Sequence, residues 1–485
     1  MKTVGTFVIT VALIVGLVGC VYPPPYPTQS NLIISSTEGG EVITPGEGTF
    51  TYYDETLVNL AAEAQQGYHF VNWTGDVGTI ADVNAANTTI TMSDDYSITA
   101  NFVTTAESAP PIPAQYQAIY DELKAEMAHF EVTLNETWNH SLGQTIIATE
   151  LAYANGNIGE GLLSANIMNY NRMLLDSLQA MGAKGVVLAI KFPLLKPDFP
   201  RSSEYLQFFK NIMVECHQRS LKVLVECGAI FAGTPYSPVE VDWSNYTTET
   251  FLQGLEDQLL LIAEEIKPDY LTLANEPQTE EALTKLTITP AVWSDFIAST
   301  LRNIDRSGGL LVGAGTGTWE NPNYINELFN MRDLDYIDLH IYPMNSNAIY
   351  LDRALNYAIE AQAAGKHVTV SESWLWKATP AELSNFLGDS EEIMNRDVYS
   401  FWYPLDERFI QDIMNLADAT DMDFVSFFWT RNLLSYLDYD STPHNFTTAE
   451  YNRLINQASL ANLQKGELSP LGQYLQQALN SRTNS

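Results

Sequence analysis

The sequence predicts the α/β class, a closed (β/α)8 TIM barrel preceded by a small N-terminal all-β domain, and three observations predict it. Residues 114–480 hold eight short β-rich apolar runs, most separated by an amphipathic helical pattern, which calls for parallel pairing. No Gly-x-Gly-x-x-Gly follows any of those runs, which weakens the competing open doubly wound sheet. Residues 31–103 instead alternate short β runs with Gly, Asn and Asp turns.

Taken in order, the first element is not part of the fold. Residues 1–20, MKTVGTFVITVALIVGLVGC, have one early Lys, an apolar stretch and small residues ahead of Cys20, the layout of a targeting segment. Leu17-Val18-Gly19-Cys20 resembles a bacterial lipoprotein signal. The resemblance implies cleavage before Cys20, lipidation of that residue, and export to the extracytoplasmic face of a cell membrane held by the lipid anchor. An ordinary secretory signal would export the chain as well. Residues 21–30, VYPPPYPTQS, are too rich in Pro for sheet or helix and read as an extended tether. No later apolar run reaches the ~18 residues that a membrane-spanning helix needs.

The small domain, 31–103, is carried by NLIISS, TFTYY, LVNLAAEA, TITM and SITANF. GYHFVNWTGD followed by TITMSDDYSITANF is similar to the B-repeat of bacterial internalins, which implies a spacer or interaction module at the cell surface and no catalysis. Trp73 is its core aromatic or, alternatively, a ligand platform. TTAESAPPIP, 104–113, is a second linker. The barrel runs then follow as TIIATE (145–150), VVLAIK (186–191), KVLVEC (222–227), YLTLAN (270–275), LLVGAG (310–315), YIDLHI (336–341), HVTVSE (367–372) and FVSFFW (424–429).

With 59 Asp+Glu against 24 Lys+Arg, the formal charge of −35 repels phosphate backbones and anionic headgroups. Nucleic acid is therefore a poor partner, and a neutral polysaccharide or oligosaccharide suits the field. Cys216 sits near a helix end and Cys227 at the far end of the third barrel run, too distant for a bridge, so both read as buried free thiols. The first barrel run lacks the paired His of a metal-dependent barrel hydrolase, and no phosphate-binding loop or Ser nucleophile elbow occurs. No cofactor or metal is expected.

A barrel places its chemistry at the C-terminal strand ends. Those ends read Glu150, Lys191, Glu226, Asn275 with Glu276, His340 with Tyr342, Glu372, and Trp429 with Arg431. Helix capping accounts for Asn275 but not for a Glu on the fourth run and another on the seventh. Two facing carboxyls are what glycosidic hydrolysis requires, one to protonate the leaving oxygen and one to meet the charge at the anomeric carbon. Alternation puts Val368, Val370 and Glu372 on one face of the seventh run, whereas Asn275 and Glu276 both reach the cavity only if the fourth strand twists or bulges.

Asn275-Glu276-Pro277 with Ser371-Glu372 resembles the large clan of retaining (β/α)8 glycoside hydrolases, over residues 114–480. The resemblance implies that Glu276 is the general acid/base and Glu372 the nucleophile of an endo-acting β-glycosidase. It further implies that Asn275 and His340 bond the sugar, that Tyr342 donates to Glu372, and that Trp429 stacks on the pyranose ring. The sequence departs from the clan where an Arg often ends the second strand, here Lys191-Phe192-Pro193, and where a His often ends the third, here Glu226. Lys191 then either supplies the missing charge or pairs with Glu150 or Glu226 in a structural network. Glu150 and Glu226 are otherwise candidates to bind substrate hydroxyls. A non-catalytic glycan-binding or adhesion protein on the same barrel is the alternative function. Phe401-Trp402-Tyr403 and Trp319 of GTWENP (317–322) are candidate aromatic walls, if exposed.

Overall fold

The structure, a computed structural model, describes residues 28–65, 68–83, 85–104, 109–138, 143–342, 349–379, 382 and 392–484. Cys20, the targeting segment, most of the tether and part of the second linker lie outside them. The chain divides into two compact units between Thr104 and Thr105. Among the described residues, no helix is long and apolar enough to cross a membrane.

The first unit has seven strands, β1 (Gln29–Ser36), β2 (Gly40–Thr44), β3 (Gly48–Tyr53), β4 (Leu57–Ala64), β5 (Tyr68–Gly75), β6 (Asn87–Thr91) and β7 (Tyr96–Thr104). They form two sheets, ordered β3-β1-β7-β5 and β2-β4-β6. In β1, Leu32 and Ile34 are buried while Asn31, Ile33 and Ser35 are exposed, the two-residue period of a sheet with one wet face. Trp73 is buried in this core, and its indole N–H donates to the Ala85 carbonyl at 3.1 Å. It is therefore a core aromatic and not a ligand platform.

The second unit is a closed barrel of eight strands. These are β8 (Ile146–Glu150), β9 (Gly185–Ala189), β10 (Lys222–Glu226), β11 (Tyr270–Thr272), β12 (Leu311–Gly317), β13 (Tyr336–Ile341), β14 (His367–Ser373) and β15 (Phe424–Phe427). Every neighbouring pair is parallel, including the closing pair β15 with β8. Helices such as Ile167–Met181, Ser202–Gln218 and Thr248–Leu261 bury apolar faces against the outside of the barrel.

Parity splits the interior into layers. Ala148, Val187, Leu224, Tyr270, Tyr336 and Phe424 form one apolar cluster inside the barrel. Two residues further along the same strands, the same face presents Glu150, Glu226, Thr272 and Asp338. The apolar floor therefore lies toward the N-terminal strand ends and the polar layer toward the C-terminal ends, where barrel chemistry is carried out.

Candidate active site

The polar layer starts from Asp338, fully buried and pointing inward from β13 between Tyr336 and His340. It accepts bonds from Thr369 (2.7 Å), Thr272 (2.9 Å), and both the hydroxyl (2.6 Å) and the backbone N–H (3.0 Å) of Ser371. Burial pushes its carboxyl up, opposed by the His340 charge and the donors from Ser371, Thr369 and Thr272.

These contacts correct the alternation expected on the seventh strand. Thr369 and Ser371 face the barrel interior, whereas Val368 and Val370 pack outward into the large core. Leu339 pairs with Val370 but His340 pairs with Glu372, so Ser371 is one extra residue in β14. This bulge turns Glu372 inward beside Ser371, when strict alternation would have sent it out with the valines. At the fourth strand the expected irregularity takes another form. Regular β11 ends at Thr272, the chain bends, and Glu276 sits immediately before the helix Pro277–Thr284 with its side chain making no capping bond. Asn275 and Glu276 thus both reach the centre.

At that centre lies the His340 ring, with 2% of its side chain exposed. Its Nδ1 is 2.6 Å from Glu276 Oε1 and 3.5 Å from Glu372 Oε2, which caps the distance between those two oxygens at about 6 Å, a range that includes the ~5–5.5 Å of a retaining pair. Its Nε2 is 2.9 Å from the Ser371 hydroxyl and 3.4 Å from Glu226. Ser371 spends its own proton on Asp338, so it can only accept from His340, and Nε2 must carry hydrogen. One further proton is then held between His340 Nδ1 and Glu276. Burial opposes a charged His340, but Glu372, Glu226 and Glu276 outweigh it and raise its proton affinity well above the ordinary value. With both ring nitrogens engaged by protein groups, His340 is placed to hold the glutamates, whereas the clan resemblance implied a sugar contact.

Around this pair the other expected residues fall into place. Tyr342 donates to Glu372 Oε2 at 2.7 Å. Lys191 pairs with Glu226 at 3.2 Å, and Asn275 donates to Glu226 at 3.2 Å. Burial opposes ionisation of Glu226, but Lys191 and His340 prevail and hold its carboxyl well below the usual range. Glu372 is pushed well up, first by burial and then by the Glu226 charge. Glu150 accepts from Asn155 at 2.7 Å, and burial raises it to about 7. Only Glu276 and Glu372 among Glu226, Glu276 and Glu372 keep exposed side-chain surface, 16% and 12% against 0%.

Of the aromatics, Tyr342 sits edge-on to Trp319 (5.5 Å) and Trp376 (5.8 Å). Trp429 is half-buried, with the Arg431 guanidinium 4.0 Å over its ring. Phe401, Trp402 and Tyr403 are buried and anchor their segment, so they form no sugar-facing wall. Cys216 and Cys227 are buried free thiols, as expected. Glu226, His340 and Glu372 could in principle surround a metal ion. Their donors are already taken by Lys191, Ser371, Glu276 and Tyr342, which makes the trio a hydrogen-bonded network and a poor fit for a cation.

Sequence reasoning missed Asp338, Glu280 and Glu320, and it named Ser371 in the Ser371-Glu372 motif without giving it a role. Asp338 shares the parity of His340 and was within reach of the alternation argument. Buried Glu280 accepts the Ala229 N–H at 2.8 Å, and burial raises it to about 7; its only signal was its place one turn beyond Glu276.

The model of the divergent InlB B-repeat domain matches residues 30–106. No curated protein matches the chain. Among solved structures, GH5_18 from Bifidobacterium longum subsp. longum is 12% identical with TM-score 0.47, covering 70% of this chain and 80% of that one. GH5_18 from Streptomyces cattleya, in complex with GlcNAc, is 15% identical with TM-score 0.45, covering 71% and 82%. A GH113 beta-1,4-mannanase is 12% identical with TM-score 0.39, covering 67% and 99%.

Proposed function

We propose that the barrel hydrolyses β-glycosidic bonds of a polysaccharide with retention of configuration, through Glu276 and Glu372. One observation carries the reading: the two partly exposed carboxyls, from different strands of the barrel, meet over a single imidazole, close enough to admit the spacing of double displacement. Glu372 attacks the anomeric carbon while Glu276 gives its proton to the departing oxygen, which leaves a glycosyl ester on Glu372. Glu276 then takes a proton from water, whose oxygen attacks the same carbon and releases Glu372. The single proton between His340 and Glu276 keeps the acid supplied. Tyr342 stabilises the ionised form of Glu372, against the pressure from Glu226. Asn275, held by Glu226, would bond the sugar 2-hydroxyl.

Purified protein on a panel of β-glycans is expected to release sugar whose first-formed anomer, read by proton NMR, is β. Glu276→Gln and Glu372→Gln should both abolish release, and undiminished hydrolysis in the two variants would refute the assignment. A glycan-binding barrel without turnover is favoured by burial and the Glu226 charge, which both raise the proton affinity of Glu372. Saturable glycan binding by the wild type with no cleavage of any panel member would establish that reading instead. Export as a Cys20-linked lipoprotein is part of the proposal, on the strength of Leu17–Cys20. Loss of acyl labelling in Cys20→Ala is its test.

A further inference from the structure

A residue that immediately precedes a helix ordinarily folds its side chain back onto the first-turn N–H groups, which have no partner within the helix. Glu276 holds that position before Pro277–Thr284, and its side chain makes no such bond; it faces His340 instead. The orphan donor is met from elsewhere. The Gln278 N–H donates to Glu320 Oε1 at 2.7 Å, and the Gln278 side-chain oxygen accepts the Asn321 N–H at 2.6 Å. This pair of bonds joins the helix to the loop that follows β12, forty-two residues further along the chain.

That loop is itself fixed. Glu320 Oε2 accepts from the Thr316 hydroxyl at 2.5 Å and from the Gly317 N–H at 2.9 Å, and the Thr318 N–H donates to the His340 carbonyl at 2.9 Å. A Cβ on Gly317 would lie 2.5 Å from the Trp319 ring, so glycine is required there to seat Trp319 against Tyr342. Glu320 is buried, and burial together with the Glu276 charge raises its carboxyl to about 8.

We propose that Glu320 is a positioning residue for Glu276: by accepting the Gln278 N–H it caps the helix from outside, and this leaves the Glu276 carboxylate free to face His340 and the leaving group. The structural half of the proposal stands on the contacts alone. Its catalytic half rests on the hydrolase reading given above.

The test compares a dinitrophenyl and a methyl β-glycoside of the sugar that the wild type releases. A dinitrophenolate departs without protonation, whereas an alkoxide needs the acid. Glu320→Ala is expected to lower kcat/KM on the methyl glycoside about 10- to 100-fold, with kcat/KM on the dinitrophenyl glycoside, which reads the first step alone, held within about threefold. Glu320→Gln, which keeps one acceptor oxygen, should recover most of the loss. Equal losses on both substrates, or no loss on either, overturn the catalytic half. In parallel, amide exchange at Gln278 should quicken about tenfold in Glu320→Ala. Unchanged exchange there overturns the cap. Should the wild type release sugar from no β-glycan, the hydrolase reading falls and takes the catalytic half with it, and the exchange measurement decides the structural half by itself.

Discussion

The floor and the mouth of the barrel interior are made by the same strands two residues apart, yet from opposite materials. On the floor, Tyr270, Tyr336 and Phe424 meet as packed rings, with centroids 5.5–5.8 Å apart. At the mouth, Glu226, His340, Lys191 and Asp338 are as deeply buried as those rings. Burying rings is favourable by itself, whereas burying charges is tolerable only where each finds a partner. The floor should therefore set stability and the mouth chemistry, and the two should be separable by mutation.

The largest expected separation lies at the two reactive carboxyls. Glu276→Gln and Glu372→Gln should each lower kcat by about a thousandfold or more while thermal unfolding stays within a few degrees of wild type. On the floor the converse is expected. Phe424→Ala should cost about 3–5 kcal/mol of unfolding free energy in urea, with kcat of the folded fraction nearly unchanged. A parallel fall in kcat would show that the layers are not independent.

Next comes the pairing of the mouth charges. Lys191→Met strands Glu226 as a buried charge and should cost about 3 kcal/mol, and adding Glu226→Gln should restore most of that loss. A double variant no more stable than the single one would mean the pair is not what makes the mouth tolerable. The smallest effect concerns proton affinity. The Glu226 charge raises Glu372, so its removal in Glu226→Gln lets Glu372 ionise at lower pH. The acid limb of kcat/KM should accordingly move to lower pH; an upward move would contradict the direction of that coupling.

Much of this was legible in the sequence because a two-residue alternation interrupted by helical periods leaves little choice of fold. All eight barrel runs form strands, and the ends that were singled out line one layer. The failures share a physical cause. Alternation carries no mark of the residue at which it slips, so Ser371 and the inward turn of Glu372 were hidden in HVTVSES. Glu320 caps a helix far away along the chain, while capping signals in sequence are local. GTWENP was noticed for its tryptophan, although its glutamate makes the closer connection. In the small domain, β2 and β5 were not among the runs assigned as strands.

The extra residue in β14 has a consequence for how the barrel could fail. The displaced Ser371 amide has given up its place in the ladder and leans on the Asp338 carboxylate, so that one aspartate pins the irregularity. In Asp338→Ala the Ser371 amide would lose its acceptor, and the kink would rest on the Ser371–His340 and Tyr342–Glu372 contacts. The strand would be free to slip one step into ordinary pairing, rotating Glu372 into the helical coat beside Val370 and leaving a hydroxyl where its carboxylate had been. A crystal structure of that variant would display the slip directly, as a change of phase that takes one carboxyl out of the mouth with no other residue replaced.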